Sequence, residues 1–279
     1  SKNCLNNMFA DLTILNIISF FLIFFIGLPH GSFDGAVASL VGFNNRVQFL
    51  KFIFYYLILF LLVILFWLYF PIFGLSIFII MTIIHFGLCD WSFYKINSYK
   101  YTISFTYGMT VIFGIIYFNE TESFVIFEYL TNEKVHLFRE YLIIPYFLTF
   151  ISLTYFFYIS INQLKLRLGI IEIISLLIIF YIFDPLLSFS IYFCFFHTYK
   201  HLNHLLKNIF LNLQNKKFVL YSTLSFTFVS WIAGLILVAY LIENLSLYES
   251  LLKVIFIGLA ALTLPHMLLV DYIYRKNYK

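Results

Sequence analysis

Apolar runs of about 18 to 25 residues recur along the whole chain, and a helix needs about 20 apolar residues to cross the hydrocarbon core of a bilayer. In lipid every backbone N–H and C=O must find a partner within the protein, so runs of this length fold as helices. Hydrophobic residues make up 63% of the chain and charged residues 11%, a balance foreign to water-soluble domains. The expected fold is therefore all-α, a polytopic integral membrane bundle of eight to nine spans. It forms a single transmembrane helical domain over residues 1–279, with no separate soluble domain. The candidate spans run over about 12–30, 50–70, 72–90, 101–118, 141–160, 168–183, 185–205, 218–241 and 251–272. Pro71, and Asp184 with Pro185, mark two tight turns, because proline cannot continue a preceding helix. The weaker stretch "GAVASLVGF" at 35–43 reads as a half-helix at the membrane interface. A short polar start before the first span gives no sign of a cleaved signal peptide. Cys4, Cys89 and Cys194 show neither metal nor redox spacing.

Charge orients the spans, because cytoplasmic loops are enriched in Lys and Arg. Basic connections (Arg46 and Lys51; Lys95 and Lys100; Lys165 and Arg167; Lys200, Lys207, Lys216 and Lys217) alternate with neutral or acidic ones. The latter hold Glu120, Glu122, Glu128 and Glu133, then Asp184, then Glu243 and Glu249. With Arg275, Lys276 and Lys279 in the tail, nine spans fit with the N-terminus outside and the C-terminus in the cytoplasm. The net charge of +4 is then a topology signal and does not point to nucleic acid.

In that topology His30, His85, His197, His201 and His266 fall at similar depth, in the cytoplasmic half of spans one, three, seven and nine. His136 lies in the acidic outer loop and His204 at the inner surface. An imidazole in lipid is costly unless paired or ligated, so five at one level read as a site. His197 and His201, in "FHTYKH", are four apart and share a helix face on which they can hold one metal. Imidazole suits Zn, Cu, Fe and Ni, and an all-nitrogen site with vacant positions suits iron that must bind dioxygen. Carboxylates follow at helical distance: Asp34 four after His30, Asp90 five after His85, Asp271 five after His266, and Glu172 is expected at the same depth. They are candidates for orienting ligand rings or for additional ligation, as is His266. Pro29 and Pro265 each free a carbonyl one turn earlier, and Gly27 and Gly31 permit close backbone approach where a site needs room.

Plainer roles compete. A single membrane histidine often serves as a helix-to-helix hydrogen bonder. Asp34, Asp90 and Asp271 sit where a solvated helix end would explain them, and Glu172 can snorkel to the surface. Phe86, Tyr192, Phe193, Phe196 and Tyr199 near the histidines suit the lining of an apolar tunnel, and packing alone explains them too.

Four motifs, "GLPHGSFD" at 27–34, "HFGLCD" at 85–90, "FHTYKH" at 196–201 and "TLPHM" at 263–267, occur in the order and at the intervals of the bacterioopsin-related-protein-like (Brp/Blh) family of β-carotene 15,15′-dioxygenases. The chain resembles that family over nearly its whole length. The resemblance implies iron(II) held by His30, His85, His197 and His201, with His266 matching a further family histidine of open role. Thr198 and Lys200 stand where the family more usually has Ser and Arg. The implied reaction is cleavage of the central C15–C15′ bond of β-carotene with O2 to two all-trans-retinal, through a dioxetane or an epoxide-derived diol. The implied setting is a prokaryotic plasma membrane, with lateral entry from the lipid bilayer and retinal passed to a rhodopsin. The alternative class is a non-catalytic carotenoid- or retinoid-binding or transport protein, since intramembrane His and Asp also serve proton relays. A di-iron desaturase needs clustered HxxHH boxes, a rhodopsin needs a lysine deep in a late span, and a zinc protease needs HExxH; the chain has none of these.

Overall fold

The computed structural model describes residues 12–92, 99–161, 163, 166–212 and 216–277. Every regular element among them is helical. Helix α1 (Ile14–Leu22) passes into a π-turn (Ile23–Gly27), a 3-10 segment (Leu28–Phe33) and α2 (Asp34–Leu40). There follow α3 (Arg46–Tyr69), α4 (Pro71–Ser92), α5 (Lys100–Phe118), α6 (Glu120–Thr131), a 3-10 segment (Val135–Leu142), α7 (Ile143–Ile161) and α8 (Arg167–Ile182). After α9 (Pro185–Ile191) come a second π-turn (Tyr192–His197), α10 (Thr198–Asn212), α11 (Lys216–Leu241) and α12 (Leu247–Asn277).

Seven helical runs among the described residues are long and apolar enough to cross a membrane: Ile14–Leu40, Arg46–Tyr69, Pro71–Trp91, Lys100–Phe118, Val135–Ile161, Lys217–Leu241 and Leu247–Val270. Helix α3 shows why lipid is the fitting solvent. Leu50, Phe54, Leu57, Leu61, Leu65 and Leu68 stay exposed on it, an apolar surface too extensive for water. The expected spans at 168–183 and 185–205 are also helical but fall outside those seven. Helix α8 has 16 residues, about 24 Å of rise against a hydrocarbon core of about 30 Å. The run from Pro185 is broken by the π-turn and carries Lys200, His201 and Asn203.

The chain forms two compact units, one of residues 1–74 with 202–279, the other of residues 75–201. In the first, α12 packs on α3, and α11 packs on the 3-10 segment and on α2. The stretch expected as an interfacial half-helix forms a short helix, α2, whose side chains belong to the core of this unit. Ala36, Val37 and Ala38 are fully buried against Phe52, Tyr56, Leu205, Val219 and Leu269. Small side chains let α2 sit inside the unit. It stops at Gly42, whose φ of +115° only glycine adopts without strain. The Phe43 amide then reaches back to the Ala38 carbonyl at 3.0 Å, closing the end in Schellman fashion. The π-turn leaves one carbonyl for a distant segment to satisfy. In its i→i−5 register Leu28 bonds the Ile23 carbonyl, so the Phe24 carbonyl would next look to residue 29, a proline with no N–H. Trp231 on α11 supplies the donor, its Nε1 lying 2.8 Å from the Phe24 oxygen. Gly31 makes no close approach, since a Cβ there would meet no atom within 4 Å.

In the second unit α5 is the central helix, packed on α7, α8 and α9, with Thr106, Tyr107, Thr110 and Val111 buried. Helices α4 and α5 meet backbone to backbone. A Cβ on Gly87 would lie 2.0 Å from the Ser104 carbonyl oxygen, and one on Gly108 2.0 Å from that of Ile83. Such contact is how membrane helices gain packing without a hydrophobic drive between them, and it brings His85 and Tyr107 to the crossing. The acidic connection expected as a loop is helical in α6, where Glu120 and Glu122 occupy the first turn and complement the helix dipole. Glu120 also pairs with Arg139.

Candidate metal centre

Three of the sequence-selected histidines gather inside the second unit. His85 on α4, His197 at the end of the π-turn and His201 on α10 are 8%, 0% and 1% exposed. Ring centroids lie 5.0 Å apart for His85 and His197, 6.3 Å for His85 and His201, and 5.9 Å for His197 and His201. The last two rings lie within 16° of parallel, on the one helix face that their i, i+4 spacing gives them. A metal–nitrogen bond of about 2.1 Å places a ring centroid about 3.2 Å from the ion, so rings sharing one ion lie at most about 6.4 Å apart. All three separations fall within that limit.

The surrounding polar groups set the rings. His197 donates through Nδ1 to Asp90 Oδ1 at 2.8 Å, while Tyr192 Oη donates to Asp90 Oδ2 at 2.6 Å. With Nδ1 engaged by a carboxylate, His197 is held in the tautomer that turns the Nε2 lone pair outward. The Nε2 atoms of His197 and His201 are buried. His201 Nδ1 lies 3.0 Å from Cys89 Sγ. Cys89 Sγ, an Asp90 carboxylate oxygen and a His197 ring nitrogen lie within 4.8 Å of one another. Imidazoles with a thiol alongside suit a borderline divalent ion of the iron or zinc kind, whereas magnesium or calcium prefers an all-oxygen shell. The residues present therefore fit a borderline divalent ion, non-haem iron among them.

Aromatic rings wall this group. Phe86 stands 4.6 Å from His197 between centroids, and Phe193 stacks on it at 5.8 Å and 10°. Phe86, Tyr192 and Phe193 are buried. Phe196 is half-buried, stacked on Tyr192, and Tyr199 is 61% exposed.

Where carboxylates and histidines pair, the partners differ from those suggested by sequence spacing. Asp90, five after His85, serves His197 across the unit. In the first unit Asp34, four after His30, accepts from His266 Nδ1 at 2.7 Å and from the Tyr56 hydroxyl at 2.9 Å. Neither Asp34 nor Asp90 is a solvated helix end, at 1% and 0% exposure. Glu172 does not snorkel: it accepts from Lys200 and from the Tyr107 hydroxyl. Lys200, read from sequence as part of a basic connection, is buried, with its ammonium 5.0 Å from the Tyr107 ring centroid. The side chains of His30, His204 and Asp271 lie outside the described residues.

The family profile of β-carotene 15,15′-dioxygenase matches residues 21–274. The chain belongs to this family. A β-carotene 15,15′-dioxygenase of an uncultured marine bacterium, 66A03, is 30% identical over 258 residues, covering 92% of this chain and 93% of the relative. No solved structure matches the chain. Within this family member, sequence reasoning missed Cys89, Tyr56, Tyr107 and Lys200. Cys89 carried a readable signal, lying four residues after His85 and so on its helix face. The tyrosines carried none, because their partners are distant in sequence.

Proposed function

We propose that this chain is an iron(II)-dependent oxygenase that cleaves the central C15–C15′ double bond of β-carotene with O2 to give two all-trans-retinal. The reading is supported above all by the buried His85, His197 and His201 group in a chain of this family, with Asp90 on the Nδ1 of His197. These three histidines would hold the metal, and the "GLPHGSFD" motif adds His30 as the fourth ligand. Bound iron(II) would supply the activation of dioxygen. Asp90 keeps the Nδ1 proton of His197 in place. Phe86, Tyr192 and Phe193, with Phe196 and Tyr199 farther out, offer a polyene flat apolar faces and exclude water. Each half of the substrate gains one oxygen atom of O2 as the carbon–carbon double bond is replaced by two aldehydes, so no further reductant is required.

The same reading takes the chain as one transmembrane domain of nine spans, N-terminus outside and C-terminus cytoplasmic, in a prokaryotic plasma membrane. The alternation of basic and acidic connections supports it. Substrate and product both partition into lipid, so they enter and leave sideways between helices, and a rhodopsin is the fitting acceptor of retinal.

One purified, detergent-solubilised sample tests the reading through metal content and through product formed from β-carotene with and without a chelator. About one iron per chain, with retinal formed only while iron is present, is expected, and His197→Ala is expected to lose both iron and cleavage while remaining helical. Carotenoid bound without iron and left uncleaved would overturn the reading in favour of a binding or transport protein.

A further inference from the structure

Two buried triads in this molecule share one connectivity. In the second unit Tyr192 Oη donates to Asp90 Oδ2, and His197 Nδ1 donates to Asp90 Oδ1, at 2.6 and 2.8 Å. In the first unit Tyr56 Oη donates to Asp34 Oδ2, and His266 Nδ1 donates to Asp34 Oδ1, at 2.9 and 2.7 Å. The histidine and aspartate are remote in sequence in both, 107 residues apart for His197 and Asp90 and 232 for His266 and Asp34, so neither pairing is a by-product of helical spacing. Asp34, Tyr56 and His266 are 1%, 8% and 5% exposed.

Such an arrangement is expensive in a lipid-soluble bundle. A buried carboxylate must be supplied with donors, and well-packed apolar side chains would hold α2, α3 and α12 together more cheaply. What the triad achieves that leucines cannot is to fix one imidazole tautomer. A carboxylate that already takes a tyrosine hydroxyl on one oxygen draws the Nδ1 proton onto the other. The Nε2 atom, buried in His266 as in His197, then carries the lone pair. A carboxylate behind Nδ1 also raises the basicity of Nε2 toward a metal. Pro265, directly before His266 on α12, has no N–H for the Ala261 carbonyl, which loosens the helix at the position where the ring must be aimed.

We propose that Tyr56, Asp34 and His266 form a metal-orienting triad equivalent to Tyr192, Asp90 and His197, and that His266 coordinates a divalent transition metal through Nε2. Tyr56 is then a positioning residue, acting on the metal only through Asp34. This assignment rests on the metal dependence proposed above.

The test is anaerobic titration of the purified full chain with Fe(II), and with Co(II) for its visible absorption, in wild type and in His266→Asn, Tyr56→Phe and His197→Ala. Asparagine at 266 keeps an amide donor for Asp34 and lacks Nε2, so the polar link between helices survives while the ligand is removed. Metal affinity is expected to fall at least about tenfold in His266→Asn, with an altered Co(II) spectrum. Tyr56→Phe, which removes one hydroxyl and no ligand, is expected to weaken affinity by about twofold to tenfold, less than loss of a direct outer partner, and to retain a wild-type spectrum at saturation. Wild-type affinity and spectrum in His266→Asn, alongside metal loss in His197→Ala, would overturn the role of His266 and leave the iron reading standing. A wild-type chain that takes up neither metal would overturn both. Should His266→Asn fail to fold, wild-type affinity in Tyr56→Phe overturns the triad.

Discussion

Replacing Asp90 by asparagine isolates the charge behind His197. The side chain is fully buried and takes two donors, the Tyr192 hydroxyl on one oxygen and His197 Nδ1 on the other. Asparagine has nearly the same shape, and its orientation is dictated by its neighbours. With a metal on Nε2 the imidazole proton must stay on Nδ1, so in the metal-loaded protein the amide oxygen faces His197. The amide NH2 then faces Tyr192, whose hydroxyl can turn to accept. Both contacts survive and only the negative charge is lost. A hydrogen bond to a charged group contributes about 1.5–3 kcal/mol and a neutral one about 1 kcal/mol, so the ring is held less firmly by about 0.5–2 kcal/mol. At about 1.4 kcal/mol per decade, metal affinity should fall about twofold to thirtyfold, overlapping the lower part of the about 10–100-fold range typical for outer partners of metal-bound histidines. Fe(II) titration of the two proteins under argon, with circular dichroism to verify equal helicity, measures it. Affinity equal to wild type in a folded Asp90→Asn protein would refute the view that the carboxylate prepares His197 for a metal.

Three further outcomes follow from the packing and the surface electrostatics. Gly108→Ala places a methyl 2.0 Å from the Ile83 carbonyl oxygen and 2.8 Å from its carbon. Because backbone cannot turn aside, thermal unfolding should show a loss at or above the usual overpacking range of about 1–3 kcal/mol, whereas Gly258→Ala, with nothing within 4 Å, should be neutral or slightly stabilising. Trp231→Phe keeps an aromatic ring against Phe24 and removes the donor to its carbonyl; a stability loss of about 1–3 kcal/mol is expected, and an unchanged melting temperature would mean that the π-turn is capped by other means. His136→Ala should leave iron content and retinal formation at wild-type levels. The hydrogen bond from His136 holds the Glu128 carboxyl below its ordinary range, so the stabilisation is present above the unfolded carboxyl range of about pH 4 and is lost as pH falls through the lower folded value; the variant should remove that acid-side dependence, as melting curves from pH 3 to 7 would record.

Several features of the site were readable one helix at a time. Asp184 and Pro185 begin α9 as expected, the aspartate accepting from the Leu186 and Leu187 amides at 3.0 Å each, because capping is chemistry between neighbours. The face shared by His197 and His201 likewise follows from four-residue spacing, and their rings do stack. The carboxylates' partners lie beyond the reach of helical spacing for the complementary reason. A spacing of four or five places Asp34 near His30 and Asp90 near His85 along the helix, yet a buried carboxylate bonds whichever donor the packing brings to it. That donor came from another helix in both cases. Lys200 reads as part of a basic connection and Glu172 as either an orienting or a snorkelling carboxylate, and their pairing across 28 residues of sequence places both inside the unit.

What the amino-acid sequence determined by itself is the solvent and the secondary structure. Long apolar runs must close their own hydrogen bonds in lipid, and helices do so within a single segment, so no tertiary information is needed. It also determined the cast of polar groups, because an imidazole or carboxylate in such a run is too costly to be there without a partner. Which group faces which was decided only by tertiary structure. The glycine crossing of α4 and α5, the two register changes that redirect chain entering the histidine motifs, and the two tyrosine–aspartate–histidine triads all depend on contacts between segments far apart in sequence. Helical periodicity says which residues share a face, and only packing says what that face meets.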